Sequence, residues 1–353
     1  MLNRQMRFGA AALLNLALVI VSGAAGVWLA MAGHGVWSLV WAGMIGSVLH
    51  ALALGVVAGW VPRVTVRPVA LRRLAGYGFK VSANDFVTYL QNQVPAFLLS
   101  RAATLHDVGI YNKGSSLSGS AGWLVVGAIY GPLFRGLAAT QDNRDQALYL
   151  FGRALTTVAF YALPLFIGTA WLAEPMVVLL YGERWVESVP IVRLLASLGL
   201  LGILMTVSGA VIQAHNAVGR EIVIQIQGLV LFAATALVAT RWGTLGVAAA
   251  LAVFWLFMAW RLTRLALACV NGSARFVAAA LKEPLLLNLL LVVVLAGGEA
   301  FRRIYFADAS MLAYAVAMTL LGGAAYGLSF LYLPLGSLAS EVTRWKRALR
   351  FTN

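Results

Sequence analysis

"FGAAALLNLALVIVSGAAGVWLAM", Phe8 to Met31, runs for 24 residues without a charged side chain. A helix rises about 1.5 Å per residue, so about 20 apolar residues cross the roughly 30 Å of hydrocarbon in a bilayer. The stretch is long, lacks a small-residue cleavage site and is followed at once by another apolar run, which argues for a span over a signal peptide. Working outward, comparable runs recur at 37–60, 81–99, 108–134, 155–172, 191–214, 222–240, 244–260, 284–298 and 310–333. Of 353 residues, 61% are hydrophobic and 11% charged, well outside the balance of a soluble domain. The runs are too long and too uniformly apolar for barrel strands. The expected fold is therefore an all-α integral membrane bundle of about ten transmembrane helices, the ninth being short enough to need tilt or local thinning.

Charge orients this bundle. With the N-terminus in the cytoplasm, Arg4, Arg7, Arg63, Arg67, Arg72, Arg73, Lys80, Arg135, Arg144, Arg153 and Arg220 fall on the cytoplasmic side, as do Arg261, Arg264, Arg275, Lys282, Arg344, Lys346, Arg347 and Arg350. The other side holds Arg101, Arg184, Arg193, Arg241, Arg302 and Arg303, and both termini are expected in the cytoplasm. The formal net charge of +14 is thus spread over short membrane-boundary loops, which does not suit nucleic-acid binding. The single cysteine, Cys269, forbids an internal disulfide, and His34, His50, His106 and His215 are too dispersed for a metal site. No cofactor is implied. A phosphate-cradling glycine loop, a nucleophile elbow and a long loop fit to hold a soluble active site are all missing, so the chain does not read as an enzyme.

Function then has to reside in the spans. In the third, Asn84, Asp85, Thr88, Gln91 and Asn92 share a sector of roughly 120°, with Pro95 above them, while Phe86, Val87, Leu90, Val94 and Phe97 take the other side. Either a hydrogen-bonded seam between helices or the wall of a hydrated cavity accounts for this, with Asp85, read as the sole carboxylate well inside a span, as a candidate ion or proton site. In the fourth span, Asn112, Lys113, Ser116 and Ser120 form a polar stripe, and Gly114, Ser118 and Gly122 recur every four residues on the neighbouring face. Such a row of small residues lets another helix approach closely. Lys113 lies about 9 Å below the boundary marked by Asp107, where it can either snorkel outward or attract an anionic substrate.

Gly76-Tyr77-Gly78-Phe79, "DVGIYNKGSSL", "YGPLFRGLA", "LLYGERWVESVPIVRLLA" and "GHGVWSLVWAGMIGSVLHAL" occur in this chain. In order and spacing they resemble the polysaccharide transporter branch of the superfamily that includes Wzx-type O-antigen flippases, MurJ-type flippases and MATE exporters. The resemblance implies two six-helix lobes around a cationic cavity plus two further helices, and transport of undecaprenyl-diphosphate-linked oligosaccharide across the bacterial inner membrane by alternating access. Set on that pattern of about fourteen spans, those present look like the fifth to fourteenth. The implied organisation is the end of a first lobe (1–62), a basic amphipathic linker (63–80), a complete six-helix lobe (81–270), an additional pair (271–333) and a basic tail (334–353).

Membrane lipids and other polysaccharide-assembly proteins are the further partners expected. Within this frame the substrate cavity would draw on Asn84, Gln91, Asn92, Asn112, Ser116 and Ser120, with Lys113, Arg101, Arg193 and Arg135 as basic groups for the diphosphate and Asp85 for ion coupling. A MATE-type exporter of small molecules would call for more acidic or aromatic cavity positions. A membrane glycosyltransferase or polymerase would need a functional outer loop, for which 173–190 is the one modest candidate, and an inactive flippase fragment completes the alternatives. The arginine distribution predicts that a reporter fused after Asn353 behaves as cytoplasmic and one inserted near Glu183 as extracytoplasmic, and paired phosphatase and fluorescent-protein fusions would expose the reverse arrangement.

Overall fold

The computed structural model describes residues 8–58, 68–102, 104–140, 143–306, 310–333 and 336–348. Among these the chain is all-α, without a strand. The last two residues of the expected second span, the first five of the basic linker (63–67), and Arg4, Arg7 and Arg350 lie outside the described residues, while 68–80 of that linker are helical. The chain divides into two compact units, Met1–Leu74 and Ala75–Asn353.

In the first unit, α1 (Phe8–Met31) and α2 (Trp37–Ala58) form a hairpin. They meet at small residues. A Cβ on Gly26 would stand 3.2 Å from that of Ala42, and one on Gly46 would stand 3.0 Å from that of Ser22. Lipid tails are as apolar as the helices, so close packing of this kind holds a membrane hairpin together. The tight turn between them uses Gly33 and Gly35 at φ values of +87° and +51°, which an L side chain rarely adopts.

Helix α3 (Pro68–Ala102) continues into the second unit, followed by α4 (Leu105–Ala139), α5 (Arg144–Trp171) and α6 (Ala173–Tyr181). A 3-10 turn (Glu183–Ser188) leads to α7 (Val189–Ser197), α8 (Gly199–Ala214), α9 (Val218–Ala239) and α10 (Gly243–Val270). The unit closes with α11 (Ala274–Tyr305), α12 (Met311–Tyr332) and the short α13 (Ala339–Ala348). Side-chain caps stop the ends of several spans. Thr104 forms a reciprocal capping box with Asp107, while Asn143 caps α5, Ser273 caps α11 and Ser310 caps α12.

Over the described residues each of the ten expected spans lies largely in helix, but several differ from expectation. By length and hydropathy alone, six stretches of the described residues qualify for crossing a membrane, or seven with the bent pair α7 and α8. The stretch Val218–Val270 is one of the six, yet it folds back on itself as α9 and α10, packed side by side around Gly243 at φ +63°. The expected single span at 191–214 is corrected to two helices bent by 47° at Leu198. Leu198 leaves the helical region at ψ 4°, and Gly199 sits so close to Phe166 that a Cβ there would come within 2.3 Å of the ring. The stretch 173–190 is not a loop, since α6 and the 3-10 turn occupy most of it. The ninth span is not short, because α11 runs for 32 residues.

Helix α5 is the central pillar of this unit. In its apolar window 61% of the residues are buried, against 11% in α12. Phe151, Leu155, Leu163 and Phe166 pack against Ile203, Val207 and Val211 of α8 and against Met258 and Leu262 of α10. The small-residue row on α4 serves close approach. A Cβ on Gly114 would come within 2.8 Å of Ile191 in α7, and one on Gly122 would come within 2.3 Å of the Phe166 ring in α5. Helix α11 docks on α5 through the Thr156 hydroxyl, which donates to the Ala280 carbonyl at 2.8 Å.

Candidate functional site

Between α3, α4, α8, α9 and α10 lies a cavity of about 440 Å³. Helix α3 contributes Thr88, Gln91, Asn92 and Pro95, and α4 contributes Tyr111, Asn112, Ser115, Ser116, Ser118 and Trp123. Gly202, Met205 and Thr206 of α8, Gln225 of α9 and Leu251, Phe254 and Trp255 of α10 close it, with Leu195 of α7 at one side. The two polar stripes therefore share one space. Among the described residues its wall combines hydroxyls, amides and aromatic rings with the aliphatic side chains of Pro95, Leu195, Met205 and Leu251, and carries no charged side chain. Trp123 and Trp255 stand edge to face at 6.4 Å, and a Cβ on Gly202 would come within 2.7 Å of Trp123. The absence of a side chain at Gly202 is what seats that indole.

Below the cavity, toward the start of α9, a polar seam ties α3 to α9. Gln91 Nε2 donates to the Gln225 carbonyl at 2.8 Å, and Asn84 Nδ2 donates to Glu221 Oε1 at 3.4 Å. All four side chains are at most 7% exposed. Among the described residues, three buried oxygens in this seam, Asn84 Oδ1, Glu221 Oε2 and Gln225 Oε1, have no hydrogen-bond partner, and the Gln213 side chain also approaches Glu221. An ionised carboxylate buried in this way is costly without a cation or a proton. Asp85 is exposed on the flank of α3 and adds its negative charge near Glu221.

The reading of Asp85 as the sole carboxylate within a span is thus corrected. Glu221 is only 3% exposed, and it was missed because α9 begins at Val218, four residues before the apolar run that marks it in the sequence. The available signal was the Glu221, Gln225, Gly228 series on one helical face.

The remaining expected site residues lie elsewhere. Ser120 is exposed and donates to the Leu117 carbonyl at 3.1 Å, outside the cavity wall. Lys113 leaves the stripe of Asn112 and Ser116. Its Nζ stands 4.8 Å from the Tyr181 ring centroid and 5.7 Å from that of Trp185, over the aromatic faces of α6 and the 3-10 turn. Ring quadrupoles attract a cation held in this position. Arg101 lies over the Phe97 ring at 5.7 Å. Arg193 pairs with Glu174 at 3.3 Å beside Arg302 and Arg303, in a separate cavity of about 620 Å³. Arg135 is exposed at the far end of α4, where its Nε donates to the Gly131 carbonyl at 3.2 Å.

Comparison with known proteins places residues 1–190 in the family described as polysaccharide biosynthesis protein. Over 205 residues, 57% of the chain, it is 27% identical to the succinoglycan biosynthesis transport protein ExoT of Rhizobium meliloti (strain 1021), of which 41% is covered. It is 23% identical over 171 residues to the lipopolysaccharide biosynthesis protein WzxC of Escherichia coli (strain K12), covering 47% of the chain and 35% of that protein. An 82-residue stretch, 22% of the chain, is 33% identical to 17% of the teichuronic acid biosynthesis protein TuaB of Bacillus subtilis (strain 168). The matches span less than half the length of each of these relatives.

The ring contacts of Lys113 give it a structural consequence. Lys113→Ala is expected to lower stability by about 0.5–2 kcal/mol, with Lys113→Arg retaining most of it. Denaturant unfolding of the purified protein would measure this, and equal midpoints for all three chains would show that the contact contributes nothing.

Proposed function

The chain belongs to the polysaccharide biosynthesis protein family, and on that premise we propose that it moves a lipid-linked oligosaccharide across the bacterial inner membrane, with undecaprenyl diphosphate as the carrier. One observation carries the reading: a cavity inside an apolar bundle whose wall, among the described residues, offers hydroxyls, amides and tryptophans without a charged side chain. Sugars offer hydrogen-bonding hydroxyls around apolar ring faces, and this wall offers both complements. The volume, about 440 Å³, lies within the range of small-ligand pockets, ~300–1,000 Å³. A cationic substrate of an exporter would call for a carboxylate in the wall. The glycan would traverse the cavity while the lipid tail stays in hydrocarbon, which avoids most of the cost of desolvating the sugar. No bond is made or broken. Lys113 is committed to the aromatic pair and Arg193 to Glu174 in the separate cavity, so the diphosphate would meet Arg135 at the far end of α4.

In this proposal both termini are cytoplasmic, 81–270 forms a six-helix lobe that contains the cavity, and 271–333 forms an additional pair. Asn92→Ala combined with Asn112→Ala is expected to reduce flipped glycan per molecule about tenfold, as the loss of one or two hydrogen bonds to substrate would. The assay would use membranes from a strain lacking its own flippase and normalise to protein in the membrane. Full activity in the double variant, or no flipping by the parent chain, would overturn the reading.

A second reading concerns what drives the cycle, and the three unpartnered oxygens beside Glu221 favour it. Oxygen donors of this kind suit a proton on the carboxyl or a small monovalent cation, and ionisable groups inside membranes commonly mark such relays. Glu221 would carry the coupling site, with Asp85 at its entrance. Glu221→Gln should leave the protein folded, because the amide fills the same volume, and should remove the dependence of transport on a proton or sodium gradient. A variant that responds to both gradients like the parent would exclude coupling at Glu221.

A further inference from the structure

A second basic cavity, of about 540 Å³, lies between the start of α9 and the far half of α10. Arg220, Arg261 and Arg264 converge on it, together with Val223, Ile224, Trp260 and Leu265, and among the described residues no acidic side chain lines it. Among the described residues none of the three arginines forms an ion pair. Instead, Arg261 lies 5.8 Å from the Phe257 ring centroid and 6.0 Å from that of Trp260, and Arg264 lies 5.2 Å from the Trp260 centroid. The Phe257 and Trp260 rings thus hold the two guanidinium groups on the same side of α10, where residues three and four apart are neighbours.

Charge placement by topology alone scatters arginines along loops. Here they come from two different helices and face one space. Three unneutralised guanidinium groups repel one another, and an anion between them relieves that repulsion. Guanidinium forks suit the paired oxygens of a phosphate.

The cavity is two-sided in character. Val223 and Ile224 lie one turn deeper in α9 than Arg220, and Val223 and Trp260 are each 53% exposed to the surroundings of the bundle. A ligand that fits has a phosphate at the helix ends and an apolar chain beside it, deeper in the bilayer. A tryptophan at this depth is also the usual marker of the headgroup level.

We propose that this cavity binds the phosphate head group of an anionic membrane phospholipid, with an acyl chain lying along Val223. Basic pockets between membrane helices have the chemistry for such head groups. The site lies outside the polar cavity and holds the beginning of α9, the helix that carries Glu221 and Gln225.

The test uses the purified full chain in neutral detergent, titrated separately with phosphatidylglycerol, phosphatidylcholine and inorganic phosphate. Native mass spectrometry counts bound lipid, and melting temperature reports its effect. Phosphatidylglycerol should bind and raise the melting temperature, whereas phosphatidylcholine and inorganic phosphate should not. The variant R220Q/R261Q/R264Q should bind phosphatidylglycerol at least about tenfold more weakly. R344Q/K346Q/R347Q, which removes equal charge from α13, should bind like the parent, and R261K/R264K should retain part of the affinity. If the triple variant does not fold, R264Q alone, at an exposed position, should still weaken binding several-fold. Undiminished binding by these glutamine variants, equal binding of phosphatidylcholine, or a shift produced by phosphate alone would overturn the proposal.

Discussion

A side-chain amide in hydrocarbon has no partner except another part of the protein, and Gln91 meets that constraint by donating to the Gln225 carbonyl of α9 at 2.8 Å. Together with the Asn84 contact to Glu221, this bond fixes the rotation of α3 about its own axis. Once that rotation is set, Thr88 and Asn92 must face the cavity, and Phe86, Tyr89 and Phe97, each more than half exposed, face outward. Individual bonds of this kind between membrane helices contribute only about 0.6 kcal/mol on average. Their effect here lies in specificity, because any other rotation would turn two amides and a carboxamide seam toward lipid.

The cavity also depends on how closely its helices approach. Without a hydrophobic difference between lipid and protein, shape decides which helices touch. Gly114 and Gly122 let α4 lie directly on Ile191 and Phe166, so α4 is clamped to α7 and α5 along one face while its polar face is left over the cavity. The same Phe166 ring lies against Gly199, at the bend between α7 and α8. One aromatic side chain on the central pillar thereby touches both the clamp and the bend.

Charge is kept out of the cavity wall and collected at the ends of helices. Two devices accomplish this. Carboxylates hold some arginines, as Glu299 holds Arg302 and Arg303 at 3.0 and 2.9 Å. Aromatic faces hold other cations, as Tyr181 and Trp185 hold Lys113. An uncharged wall binds polar ligands without trapping them, since neutral hydrogen bonds are roughly half as strong as charge-assisted ones. That suits a surface over which a large polar group has to pass.

By itself the sequence determined the membrane class, the approximate places of most spans and the polar sectors of α3 and α4. Each of these follows from local rules: apolar length sets a span, and a 3.6-residue period sets a face. Thr88, Gln91, Asn92, Asn112 and Ser116 were legible as inward-facing for this reason, before any partner helix was known. Only the tertiary structure decided which way Lys113 turned, because its partners Tyr181 and Trp185 lie about seventy residues along the chain. The break at Leu198 and the burial of Glu221 were hidden likewise, as one depends on the Phe166 ring and the other on Asn84, 137 residues away. Hydropathy averages over a window and cannot register a single carboxylate at its edge. Whether such a group meets water or lies sealed against another helix is settled by the packing of residues distant in sequence.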